Sequence, residues 1–571
     1  MSKLVRFFSI LTVLLMLFAL VSCAGQETTA GTTKPGATTA AATTTVKEDP
    51  IVITDGMDSI TWNDYQDSPI AQYLLDKFNI IIEMVDITEQ KEALMASGDL
   101  PDFFIIGAEQ RGSLIESGFI IDMNDLVEQY GPDIEKNAGL ALDFLREYWS
   151  DGSGALYGLP GGNTYEPIGY GILPADFGLN LNWSLYEQLG YPEVTNNWDS
   201  VLSVVEDMVA LQPTTADGLA VYGLPAFSAW GMWGHVLFSI TLPGSYSDMS
   251  VWSMVLNNKT LELTDNYTDP QSPLWNYVEF LYQENQLGIF DTDSLIASWE
   301  DLGTKAANGQ YVGGMWGAMF SSANSLMAVD NNGYATIPVT NGGVWGGSDW
   351  RYGQKNLRCI SANAEHPEKV IEFLNFCYST EGNRILNSGI EGVHWDYIDG
   401  VPNINEETAT KYKENGIAWK ETGIGYFTNY LMASFLHEDG FYTNLFYSKQ
   451  FNLSAMNDFQ KKVANHYGMD TQLEYFQAKV DSGDMISQAA VDRRIGNMMP
   501  ILTDDLNRIK SEADAAMVTG IAQCILSAND SEYEANKTAL IEQVKTLGIE
   551  TVTDWFREQY ETLGSTLPPK E

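Results

Sequence analysis

Five histidines are scattered along the chain, at His235, His366, His394, His437 and His466, and none is spaced from another as a metal-binding pair. There is no Gly-x-Ser-x-Gly elbow, no Gly-Lys-Ser/Thr phosphate loop and no His-Glu-x-x-His helix. Asp291-Thr292-Asp293 begins like a calcium loop, but the glycine and glutamate that such a loop needs do not follow. Asp and Glu together number 76, too many for one catalytic pair to stand out. What remains is aromatic: 15 Trp, 28 Tyr and 24 Phe. Several tryptophans sit among glycines, in Trp230-Gly231-Met232-Trp233-Gly234, in Met315-Trp316-Gly317, and in Val344-Trp345-Gly346-Gly347-Ser348-Asp349-Trp350-Arg351. Glycine lets a backbone approach a ligand closely, and a flat indole stacks on the apolar face of a sugar ring. A neighbouring carboxylate accepts paired hydroxyl hydrogen bonds. An apolar floor with a few fixed polar groups is how such pockets are built. Trp345, Asp349 and Trp350 form the leading candidate set, with Trp316, Trp230 and Trp233 beside them.

The elements that must position these residues begin after a leader. Lys3 and Arg6 precede the apolar run Phe7 to Val21, which is about 15 residues and short of the ~20 that a spanning helix needs. Residues 1–22 therefore read as a secretory signal. Leu20-Val21-Ser22-Cys23 is similar to a bacterial lipobox, in which Cys23 becomes the lipidated first residue. Two acyl chains would satisfy the two-signal requirement for stable anchoring. From 23 to 48 the chain is dominated by Thr, Ala and Gly, a flexible leash without an apolar period. Cys359, Cys377 and Cys524 are expected to form no obligatory disulfide.

With Lys plus Arg at 31 against those 76 acids, the formal net charge is −45. A surface this acidic repels phosphate backbones and excludes nucleic-acid binding. A composition of 44 % hydrophobic residues is that of a folded protein, and 571 residues call for at least two lobes. Apolar patterning predicts a strand at 51–53, a helix over 68–78, a strand at 79–83, a helix over 88–97 and a strand at 103–106. This is β-α-β-α-β, hence parallel pairing. Further on, helices are expected over 198–211, 274–284, 367–377 and much of 501 onward, with strands at 312–316 and 334–338.

In order along the chain, Ala96-Ser97-Gly98-Asp99-Leu100-Pro101-Asp102, Leu156-Tyr157-Gly158-Leu159-Pro160, His366-Pro367-Glu368-Lys369 and Gly389-Ile390-Glu391-Gly392-Val393-His394-Trp395 resemble segments of the family 1 extracellular solute-binding proteins. The long branch that includes the LplA-like and alginate-binding lipoproteins is the most similar. Asn182-Trp183-Ser184-Leu185 departs from that pattern by lacking its basic residue and its Asp. The resemblance implies an α/β, two-lobed, type II periplasmic-binding-protein-like fold, each lobe a mixed sheet flanked by helices, with a ligand cleft at the hinge. It implies an N-terminal lobe of 49–160 plus 352–400 and a C-terminal lobe of 161–351 plus 401–571. It also implies a monomeric receptor of an ABC importer, lipid-anchored on the outer face of the bacterial membrane, that binds a carbohydrate, taken here as an oligosaccharide, and delivers it to the permease. No cofactor, no metal and no catalysis are expected. Tyr165, Glu391 and Trp395 complete the expected ligand contacts. Glu391 and His394 could pass for an acid/base pair, but the structural reading is preferred: a brace at the turn, and a histidine satisfying a backbone group. A receptor of the same fold for a peptide or polyamine is the alternative, and a surface glycosidase is a more distant one.

Overall fold

Ser68 starts the first helix by accepting from Ala71 N at 3.2 Å, Pro69 holds its first position, and Asn79, in the left-handed region, ends it. That helix, Pro69–Phe78, connects two parallel strands, Ile51–Met57 and Ile80–Asp86. A second helix, Lys91–Ser97, closes on Gly98 in the left-handed region and leads to the strand Phe103–Ile106, which also runs parallel to the first. The computed structural model that shows this describes residues 49–57, 63–88, 90–150, 152–163, 177–249, 251–344, 351–416, 421–432, 435–487 and 492–569. Residues 1–48, with Cys23, lie outside them, as do Tyr165, Trp345, Asp349 and Trp350.

The β-α-β-α-β reading of the sequence holds, with one addition. The distant strand Leu357–Ile360 inserts antiparallel between Phe103–Ile106 and Leu159–Pro160, making a mixed five-stranded sheet. The helices Pro132–Tyr148 and Pro367–Tyr378 pack together over it. A second sheet has three antiparallel strands, in the order Tyr334–Thr336, Phe177–Asn182, Gly313–Trp316. The helices Trp198–Leu211, Met232–Thr241 and Asp504–Ile525 pack around Pro273–Gln286 beside it. Trp183 and Trp275 are fully buried there.

These two sheets have separate hydrophobic cores. The first core takes Ile53 to Leu159, then Tyr352 to Phe451. The second takes Phe177 to Val339, then resumes at Phe459. Ile424, Phe427, Tyr430, Phe446 and Phe451 all belong to the first core. Asp399-Gly400 is the tip of a hairpin between Trp395–Ile398 and Val401–Ile404. Both tip residues have positive φ, 52° and 79°, as a two-residue primed turn requires.

The joint at Leu159-Pro160-Gly161-Gly162-Asn163 is held from the first lobe. Gly162 N donates to Asn429 O at 2.7 Å, and the buried Asn163 side chain donates to Pro160 O and Tyr430 O. Gly161 passes so close to Asn429 O that a side chain would not fit, and Gly162 has φ +67°. Beneath it the Arg358 guanidinium lies 4.0 Å from the centre of the Tyr430 ring and donates to Thr428 O. Asp55, near the end of the first strand, is buried close by. Burial pushes its carboxyl up to about 7 against the pull of Arg358.

Candidate functional site

Six aromatic rings converge at one end of the second sheet. Phe177 opens one strand and Trp316 closes its antiparallel neighbour, so the two are register partners and their rings stack at 4.9 Å. Trp299 is the first residue of the helix Trp299–Ala307. Ser298 and Asp301 cap that helix reciprocally, which fixes the indole at its tip. The loop before the helix Met232–Thr241 contributes Phe227 and Trp230, and the helix itself Trp233. Gly231 turns this loop with φ +67°, and Gly234 lies so near Phe227 O that no larger residue would fit.

Ring centres within the cluster are close throughout. Trp299 and Trp316 are 4.7 Å apart, Trp230 and Trp233 5.3 Å, Trp233 and Trp316 5.6 Å, and Phe227 and Trp230 4.9 Å. Trp230 and Trp299 stand 5.8 Å apart with only 24° between their planes. Phe177 and Phe227 are buried and form the floor, Trp233, Trp299 and Trp316 are half-buried, and Trp230 is 50 % exposed. The four indoles expose aromatic surface, and their N–H groups have no acceptor among the described residues. Flat rings with free donors at their edges suit a ligand that offers apolar faces and hydroxyl oxygens.

The helix that presents Trp299 is tied down by charge. Lys305 Nζ reaches both oxygens of the buried Asp291, at 2.7 and 3.0 Å, and Asp293 at 3.1 Å. Tyr311 donates to the same Asp291 carboxylate. The Asp291-Thr292-Asp293 segment thus holds a lysine ammonium, and no cluster of metal-binding side chains occurs among the described residues.

Of the candidate residues, the structure brings Trp230, Trp233 and Trp316 together. Trp299, Phe177 and Phe227 join them without having been singled out. The pattern Ser298-x-x-Asp301 was the available signal for Trp299, since it places an aromatic residue at a capped helix start. Phe177 and Phe227 had no comparable mark. Glu391 and Trp395 are not part of the platform. Trp395 is 4 % exposed, donates Nε1 to Gly389 O at 2.8 Å and packs on Tyr397, while its neighbours Ile390 and Ile404 rest on the first core. Glu391 is exposed, and its backbone bridges to Trp395. His394 Nδ1 accepts from Ile390 N at 2.9 Å, and burial lowers its imidazole to about 4. It is the backbone-satisfying histidine expected from the sequence.

Comparison with known proteins agrees with this architecture. The bacterial extracellular solute-binding protein family matches residues 79–384. Among solved structures, an HMO-binding solute-binding protein associated with an ABC transporter of Bifidobacterium longum infantis has 13 % identity and a TM-score of 0.58, with 90 % of this chain and 99 % of that chain covered. The alginate-binding protein AlgQ2, crystallised without calcium ion, has 15 % identity and a TM-score of 0.56, covering 90 % and 98 %. The N-glycan transport solute-binding protein of Streptococcus pneumoniae has 14 % identity and a TM-score of 0.54, covering 90 % and 99 %. No curated protein matches the chain. At these identities the structures establish a common α/β fold of mixed sheets flanked by helices. The family match spans more than half of the sequence, and the chain belongs to the bacterial extracellular solute-binding proteins.

Proposed function

We propose that this protein is the receptor of an ABC importer, that it captures an oligosaccharide on the platform of Trp230, Trp233, Trp299 and Trp316, and that it passes the sugar to a membrane permease. The platform carries the reading: four indoles and two phenylalanines gathered at one sheet end, with Trp230 half open. A hydrophobic core has no need to leave such a ring exposed, and stacked sugar rings are the matching guest. Proteins of this fold named for alginate binding, HMO binding or N-glycan transport support the substrate class. Trp345, Asp349, Trp350 and Tyr165 complete the contacts in this reading, from segments outside the described residues. Closure of the two lobes on the ligand is the signal to the permease, and it needs only that the sugar bind the closed form better than the open one. A lipid on Cys23 tethers the monomeric receptor outside the cell, and no catalytic step is involved.

The test is intrinsic tryptophan fluorescence with thermal shift, against a panel of oligosaccharides, short peptides and polyamines. A saturable response to one sugar class with no new product on chromatography is expected. A response to peptides or polyamines alone overturns the substrate class, and consumption of the sugar overturns the non-enzymatic reading. Cys23→Ser is expected to release the protein from membranes, and retention there would remove the lipid anchor.

A further inference from the structure

The loop that carries Phe227 and Trp230 is fastened by a backbone bond at its root and by buried side chains along its length. At its root, Gly223 N donates to Ile289 O at 2.8 Å and Leu224 N to Glu284 Oε1 at 2.9 Å. Midway, Ala226 N donates to Ser294 Oγ at 3.1 Å. At its tip, Ser228 Oγ lies 2.9 Å from His235 Nε2. Glu284, Ser294 and His235 are all 0 % exposed. A buried polar side chain is costly unless it is bonded, and both histidine and glutamate here keep one atom without a partner, His235 Nδ1 and Glu284 Oε2. Glu284 is needed as the acceptor of the buried Leu224 N–H, whereas His235 bonds only the half-buried Ser228 hydroxyl, so stability alone does not account for the histidine.

We propose that His235 is a positioning residue of the platform: through Ser228 it holds the 223–231 loop in the shape that stands Trp230 against Trp299. The inference rests on the platform being the binding site. Its geometry is specific, because His235 lies in the first turns of the helix that also carries Trp233, and the bond to Ser228 spans the tight turn at Gly231, whose N–H donates to Ser228 O at 3.0 Å. One imidazole therefore ties Trp230 and Trp233 to a single frame. Since a buried N–H without an acceptor costs more than a bare ring nitrogen, the proton belongs on Nε2, with Ser228 Oγ accepting. Tyr277 faces the ring from the helix Pro273–Gln286 at 6.3 Å between centres, and Glu284 follows two turns later on that helix. Burial keeps the imidazole neutral down to about 4. A depressed histidine contributes stability that is intact above the ordinary value of 6.5 and declines as pH falls through 6.5 toward 4. Acid should therefore loosen this loop.

The experiment uses the full chain in mild detergent, labelled with 5-fluorotryptophan and with no ligand added. The Trp230 line is assigned by its disappearance in Trp230→Phe. Ser228→Ala should shift or broaden that line while the lines of the core residues Trp183 and Trp275 stay in place. Ser228→Thr, which keeps the hydroxyl, should restore it. In the unmodified chain the Trp230 line should move as pH is lowered from 7 toward about 4. A Trp230 line unmoved by Ser228→Ala, in a chain whose core lines are intact, overturns the proposal. So does equal displacement by Ser228→Ala and Ser228→Thr. Because no sugar is present, these outcomes are separate from the function itself. If Trp230→Ala abolishes sugar binding while Ser228→Ala leaves the line alone, the site stands and the latch falls. The reverse pattern keeps the latch and removes the site.

Discussion

In the first lobe, the indole of Trp395 is 4 % exposed and its N–H is bonded to Gly389 O, and in the second, Trp230 is 50 % exposed with a free N–H. Around Trp395 the chain supplies everything the ring needs. Arg384 lies 5.5 Å from its centre, and that guanidinium is itself held by the Asp439 carboxylate and by the carbonyls of Phe441 and Tyr442. The ring stands at the start of a hairpin whose Ile404 rests on the first core. Around Trp230 the described residues supply other rings and no acceptor. An indole is therefore a functional candidate only when its edge is unoccupied, and Trp395 and Trp230 give one example of each kind.

The largest effect that would break this contrast is on stability. Trp395→Ala should lower unfolding free energy by about 3–5 kcal/mol, because a buried ring is lost and the Gly389 carbonyl loses its donor. Urea unfolding measures this. A loss below about 1 kcal/mol would mean that Trp395 is not part of the packing and would restore it as a ligand candidate. Trp230→Ala should do the opposite: the urea midpoint stays nearly constant, while affinity for the sugar found by the panel falls about 30-fold, corresponding to about 2 kcal/mol. Titration calorimetry separates the two. A collapse of the midpoint in Trp230→Ala would make the platform core rather than site.

The lobes differ in the same way in their buried carboxyls. Asp55 in the first lies near Arg358, whereas Glu284 in the second has one backbone donor, Leu224 N, and no cation. Burial raises both, Asp55 to about 7 and Glu284 well above the ordinary range. A carboxyl raised on folding contributes stability that is fully present below its unfolded value, and it loses that contribution as pH rises toward the folded one. Glu284→Gln keeps the acceptor for Leu224 N and removes the ionisation. The variant should therefore gain on the unmodified protein in urea midpoint as pH goes from 5 to 8. Asp55→Asn should gain over the same range but level off near 7, where the folded carboxyl itself titrates. Parallel pH profiles for the two variants would remove the assigned difference between the lobes.

Local signals carried much of the fold. The helix Trp198–Leu211 was readable to its ends from apolar patterning, and Phe103–Ile106 from its unbroken apolar run. Leu357–Ile360 could not be placed, because its partners Phe103–Ile106 and Leu159–Pro160 lie roughly 200 or more residues away and nothing local encodes that register. At the site, glycine neighbours marked Trp230, Trp233 and Trp316. The floor residues Phe177 and Phe227 look like any core phenylalanine until the strands and loop bring them under the indoles.

The smallest effect isolates the indole edge. Trp→Phe preserves an aromatic face and deletes one donor, so it asks whether the N–H matters, independently of the ring. At Trp395 the deleted donor leaves Gly389 O unpaired in a buried place, which should cost about 1–2 kcal/mol of stability with sugar affinity unchanged. At Trp230 no protein bond is deleted, so stability should not move, and affinity should fall only severalfold, the worth of one neutral hydrogen bond of about 1 kcal/mol to a ligand hydroxyl. Measured by urea unfolding and calorimetry on the same two variants, the effects should fall on opposite axes. If Trp230→Phe binds as tightly as the unmodified protein, the platform works by stacking alone and its free N–H groups are incidental. If Trp395→Phe weakens binding, the hairpin of the first lobe communicates with the ligand, and the sharp division between a structural and a functional indole no longer holds.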